Sequence, residues 1–97
     1  MEISFHRQVQ ADLREALDHY EAISEPLVDD FFAEFKIGLQ RVQQTPAMFH
    51  FDSCGLRRFN LERFPYHFLY DLRTGDIRVG VLRHHQRRPS FGTKRFR

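Results

Sequence analysis

The chain predicts an α+β fold: an N-terminal strand, an antiparallel two-helix hairpin, then a three-strand antiparallel meander, with the helices on one face of the sheet. Three observations carry this. Apolar residues recur every three or four positions between about residues 8 and 44, and every second position in residues 2–7 and beyond Gly55. The break between the helices is too short for anything but an antiparallel hairpin. The chain has 97 residues, which is room for one core, so residues 1–97 read as a single domain.

Each element has its own justification. In Glu2–Arg7, Ile3 and Phe5 share a side, as in a short strand. From about residue 8 to 23 the stripe is Leu13, Ala16, Leu17, Tyr20 and Ile23, with Asp12, Glu15, Asp18 and Glu21 expected on a solvated opposite face. Ser24-Glu25-Pro26 stops one helix and starts another. The second stripe is Val28, Phe31, Phe35, Leu39 and Val42, widened by Phe32, and Thr45-Pro46 ends it. Gly38, inside this helix, weakens it by about 1 kcal/mol against Ala, which implies a packing reason. Residues 46–55 read as a loop with aromatic anchors.

Phe59 and Leu61 alternate with polar neighbours in the next strand. Tyr66, Phe68, Tyr70 and Leu72 then share one face, and Arg73–Asp76 forms a turn. A four-residue turn pairs Leu72 with Ile77, Tyr70 with Val79, Phe68 with Val81 and Tyr66 with Arg83. Ile77, Val79 and Val81 then face the core. Leu82 and His84 point away, and His84 lies diagonally from His67 on the face free of helices.

Composition bounds the chemistry. Phe supplies 11 of 14 aromatic side chains and there is no Trp, so large rigid rings fill the core. Cys54 is alone, which excludes an intramolecular disulfide and a four-cysteine zinc site and fits a reducing cytoplasm. No signal-like or membrane-length apolar run is present, so no membrane is expected as a partner. Without a P-loop, a GxGxxG or an HExxH, no cofactor and no metal are expected.

Net charge is +2 but strongly polarised. Residues 1–50 hold 4 basic and 9 acidic groups, −5; residues 51–97 hold 11 basic and 4 acidic, +7. Thirteen of the fifteen bases are Arg, whose planar fork clamps carboxylate or phosphate. Residues 83–97 carry six Arg or Lys and no acid, interleaved with Phe91 and Phe96. That composition suits nucleic acid, and equally an acidic disordered segment that folds on binding.

Three motifs in order then resemble the RelE/ParE superfamily of toxins from bacterial type II toxin–antitoxin modules. The first is Arg58, Phe64-Pro65-Tyr66 and Tyr70. The second is the strand Ile77–Val81. The third is His84, Arg87 and Pro89 in an H-x-x-R-x-P ending, followed by Phe91 and Arg95. The resemblance implies a toxin of a plasmid-stabilisation type of module, able to inhibit growth and silenced by a cognate acidic antitoxin in a toxin–antitoxin hetero-oligomer. Its target is either DNA gyrase, poisoned by protein–protein binding as in ParE-like members, or the ribosome, where RelE-like members cut mRNA. A third branch is a member that has lost toxicity.

Metal-free RNA cleavage needs acid–base groups and cations at the phosphorane. His84, His85 and His67 can move protons, and Arg87, Arg83 and Arg58 can hold charge; His84 and Arg87 lead as catalytic residues. Arg58, Arg83, Arg87, Arg88 and Arg95 are the expected target-binding residues. Arg83, Arg88, Phe91, Lys94 and Arg95 are those expected to meet the antitoxin. The resembling ribonucleases often have Arg where this chain has His67, and some use a C-terminal tyrosine, whereas the final tyrosine here is Tyr70. ParE-like binding is therefore preferred.

Overall fold

A computed structural model describes residues 1–96 of the chain. The element order is β1 (Glu2–Phe5), α1 (Val9–Glu21), α2 (Glu25–Gln44), β2 (Arg57–Asn60), β3 (Tyr66–Arg73) and β4 (Asp76–His84), with a final 3₁₀ turn over Thr93–Phe96. The strands form one sheet in the order β1-β4-β3-β2. β2, β3 and β4 make the expected antiparallel meander, and β1 joins β4 in parallel, Ile3 opposite Ile77 and Phe5 opposite Val79. The hairpin α1–α2 covers one face. Among the described residues no helix is long and apolar enough to cross a membrane.

The core between hairpin and sheet is aromatic. Phe31 packs against Phe64 and Tyr66, and Phe35 meets Phe68 edge-on at 5.8 Å. Phe68 stacks on Phe59 at 5.2 Å. Gly38 is where α2 crosses these rings: a Cβ there would stand 2.7 Å from Cε1 of Phe59. The helix tolerates its glycine because the sheet needs the space.

The first helix is shorter, and both apolar stripes are narrower, than expected. α1 ends at Glu21, so Ile23 falls in the turn between helices and is 61% exposed. Phe32 is 41% exposed and lies beneath the Lys36 ammonium, outside the buried set Phe31, Phe35, Gly38 and Val42. In the loop, Phe49 packs on Phe59, whereas Phe51 is exposed and stacks under Arg57.

The largest departure is in the β3–β4 register. Leu72↔Ile77, Asp71↔Arg78 and Tyr70↔Val79 pair as expected. A bulge follows, with Gly80 as the unpaired residue, so Leu69 meets Val81, Phe68 meets Leu82, His67 meets Arg83 and Tyr66 meets His84. One extra residue exchanges the faces of everything beyond it. Leu82 joins the core, His84 turns to the helix side beside Tyr66, and Val81 and Arg83 turn to the other face.

That other face is not open either. The segment after β4 runs back across it as a strap. Gly92, at φ 82°, lies against Val81 so closely that a Cβ would be 2.6 Å from its Cγ2. The ring of Phe96 fills the space that a side chain at position 80 would need. Gly80 thus serves both the bulge and the strap.

Candidate functional site

Past the bulge, five polar side chains from four segments close into a ring on the strap side of the sheet. Asp52, in the loop before β2, accepts from Arg58 at 3.1 Å through Oδ1 and faces Arg83 at 3.6 Å through Oδ2. Arg83 Nε donates to His67 Nε2 at 2.9 Å. His67 Nδ1 and His85 Nδ1 are 2.9 Å apart, and Arg58 Nη2 reaches the same His85 nitrogen at 3.3 Å. The tautomers follow from the donors. His67 Nε2 must be unprotonated to accept from Arg83, so its Nδ1 carries the hydrogen and donates to His85. His85 Nδ1 is then the acceptor, and its Nε2–H is the free edge.

The electrostatics match this assignment. Burial first, then the Arg58 and Arg83 charges, drive His67 down to about 3, so it stays neutral at ordinary pH. Desolvation and then Arg58 and His84 lower His85 as well. Burial pushes Asp52 upward, but hydrogen bonds from Cys54 and Arg58 and the Arg83 charge outweigh it and hold the carboxyl below its usual range. The Arg83 side chain is 3% exposed. Its Nη1 donates to the carbonyls of Pro89 and Phe91, both at 2.8 Å. Arg83 therefore ties the strap to the sheet, and its guanidinium has no face left for a partner.

A second buried ion pair fastens the strap at its far end. Arg95 grips Asp12 of α1 with both terminal nitrogens, at 2.6 and 3.1 Å, and donates to the carbonyl of Gly80. Asp12 Oδ2 also accepts from the Leu82 amide at 3.1 Å. β1 ends at Phe5, opposite Val79, so beyond it the β4 edge has no neighbouring strand. Asp12 and Arg95 satisfy that edge instead. This corrects the reading of Asp12 as a solvated charge, and Arg95 is a fastening more than a free cation.

His84 and Arg87 lie on the opposite side, in a cleft of about 30 Å³ lined by Asp12, Glu15, Tyr66, His84, Arg87 and Phe91 among others. That volume holds about one water. His84 packs edge-on against Tyr66 at 5.1 Å, and its Nδ1 accepts from the Gln86 amide at 3.0 Å. Arg87 lies 3.6 Å from Glu15 and over the Phe91 ring, which Arg95 also approaches. The fold thus brings His84 to Arg87, and separately His67 to His85, Arg83 and Arg58. The two groups adjoin without sharing a face: the His84 and His85 rings are 6.5 Å apart and Arg83 also lines the His84 cleft, and the expected diagonal of His84 and His67 on one face is absent. Arg88 and Lys94 are exposed on the strap.

Two acids of these networks are not among the expected site residues. Asp12 had a signal: Val9, Asp12, Ala16 and Tyr20 form a stripe of their own, and all four are buried. Asp52 is one of only four acids after residue 50 and sits in a turn, its carboxylate accepting from the Cys54 amide.

No family model and no curated protein matches the sequence. Among solved structures, the fold is similar to a chain of the "Chromosomal ParDE TA system from P. aeruginosa", with a TM-score of 0.75 and 20% identity over 87% of this chain and 95% of that one. The fold implied by the RelE/ParE resemblance is the fold observed, across nearly the whole of both chains.

Proposed function

We propose that the chain is the toxin of a type II toxin–antitoxin module, that it acts as ParE-like proteins do by binding DNA gyrase, and that a cognate acidic antitoxin neutralises it. The observation that carries binding over cleavage is the disposition of the histidines. His67 is sealed and neutral with both nitrogens engaged, and Arg83 is spent on the strap. His84 turns toward Tyr66, 6.5 Å from the His85 ring, with its Nδ1 taken by the Gln86 amide. A binder needs no convergent acid and base; it needs a surface, and Arg88 and Lys94 are exposed on the strap while Arg58 and Arg87 keep part of their side chains accessible beside their carboxylate partners.

Induction in a bacterial host, with growth, mRNA ends and gyrase-linked DNA breaks read together, tests this. The expected outcome is growth arrest with breaks and intact mRNA, little changed by His84→Ala or His85→Ala. One observation favours the second reading, a ribosome-dependent mRNA endoribonuclease: His84, Arg87 and Tyr66 share a cleft. Discrete mRNA cuts lost about 10²–10³-fold in His84→Ala or Arg87→Ala would establish that reading and overturn ours. The antitoxin is tested separately by charge reversal at exposed Arg88 and Lys94. Binding of the acidic product of an adjacent gene should weaken and lose part of its salt dependence.

A further inference from the structure

The contact between His67 and His85 is unusual in what it forbids. Nδ1 of His85 accepts at once from His67 Nδ1–H and from the Arg58 guanidinium. A proton placed on that nitrogen would meet two donors and no acceptor. The surroundings give it no remedy. Arg58 approaches from β2, His67 from β3 and Arg83 from β4, and His84 is the adjacent residue. Among the described residues the carboxylate nearby, Asp52, is already divided between Arg58 and Arg83. His85 itself is exposed, and its backbone is held by the Pro65 carbonyl. The side chain can therefore leave the ring while the chain stays in place.

We propose that the His67–His85 contact is a proton-controlled latch on the C-terminal strap. With His85 neutral, His67 Nδ1–H is satisfied, its Nε2 lone pair holds Arg83 Nε, and Arg83 holds the carbonyls of Pro89 and Phe91. When His85 takes a proton on Nδ1, its ring rotates out to water. His67 is left with an unanswered donor beside a newly wetted cavity. Water then relieves the burial that keeps His67 neutral, and a second proton enters at Nε2, the position to which Arg83 donates. Two cations then face each other across 2.9 Å, Arg83 gives way, and the strap loses its inner fastening. The uptake is cooperative, because the first proton opens the path of the second. The Asp12–Arg95 pair, at the other end, keeps the strap tethered while its middle opens. Acidification thereby uncovers Val81, Leu69 and the basic face that the strap hides.

The test is amide hydrogen exchange on the full chain, expressed as protection factors so that the intrinsic pH dependence is removed. The reporters are the amides of Phe91, Thr93 and Arg95, bonded within the strap to Arg88, Ser90 and Gly92. Between pH 7.5 and 5 their protection should fall at least about tenfold, while that of Phe68 in β3 falls far less. In His85→Gln, whose carboxamide can accept from His67 but cannot titrate, the fall should vanish. Unchanged protection in the wild-type chain would overturn the proposal, as would an equal fall in His85→Gln. Should that variant not fold, imidazole ¹⁵N shifts of the wild-type chain decide. Protonation of His85 Nδ1 must coincide with the loss of strap protection, and loosening at a pH where that nitrogen is unchanged would sink the latch.

Discussion

Arg83 shows how far a residue's role can lie from its type. In the sequence it is one of thirteen arginines in a basic half, and a solvent-facing cation was the natural expectation. In the fold it is a buried hub with four engagements: Asp52, His67, Pro89 and Phe91. Burying a charge is tolerable only where partners replace water, and here one carboxylate and three neutral acceptors do so. Arg83→Ala should cost about 3–5 kcal/mol, since it strands Asp52, His67 and two carbonyls together. A urea titration measures it, and a loss below about 1 kcal/mol would mean the side chain is solvated. The role was not legible beforehand because it depends on one inserted residue, Gly80, that turns position 83 to the strap face. Asp12 was more legible: spacing places it between Val9 and Ala16, and the general bias that acids are solvated misdirected its reading.

At the scale of elements, whatever rests on periodicity was legible. Both helices, the hairpin turn at Pro26, the meander and the first three β3–β4 pairs follow from repeating apolar residues and turn chemistry. What failed lies where the period is interrupted. Ile23 and Phe32 belong to their stripes by spacing, yet helix termination and a narrow contact face leave them outside. The bulge carries no periodic signature; a lone glycine inside an alternating strand was the only sign of it. Its double duty makes a sharp expectation. Gly80→Ala should expel the Phe96 ring from its seat and destabilise the protein by about 1–3 kcal/mol. The strap amides should lose protection in the same variant while β3 keeps its own. A variant as stable as the parent would show that the strap does not press on β4.

For the molecule as a whole, the buried imidazole makes acid the weak direction. His67 is lowered to about 3 in the fold and titrates near 6.5 when unfolded. Between those values the unfolded chain binds the extra proton, so stability is complete above about pH 6.5 and declines as pH falls. In His85→Gln, where the latch stays shut, the decline from pH 6.5 to 5 should be about 2 kcal/mol, read from urea midpoints, and a flat profile there would mean that His67 is not sealed; in the wild-type chain the decline should be smaller, because the opened latch lets the folded state take the same proton. The strap was not legible at all, since a basic, proline- and glycine-containing tail reads as a free arm until its carbonyls are seen on Arg83. The parallel pairing of β1 with β4 has a consequence in time. Glu2–Phe5 finds its only strand neighbour more than seventy residues later, and Asp12 finds Arg95 later still. β1 therefore waits, unpaired, until β4 has been made. Contacts so distant along the chain make folding slow and place it after β4 and the strap have been synthesised. A chain built this way spends that interval with the strap, the bulge and the buried polar ring unmade, and the faces they later bury stay open to solvent.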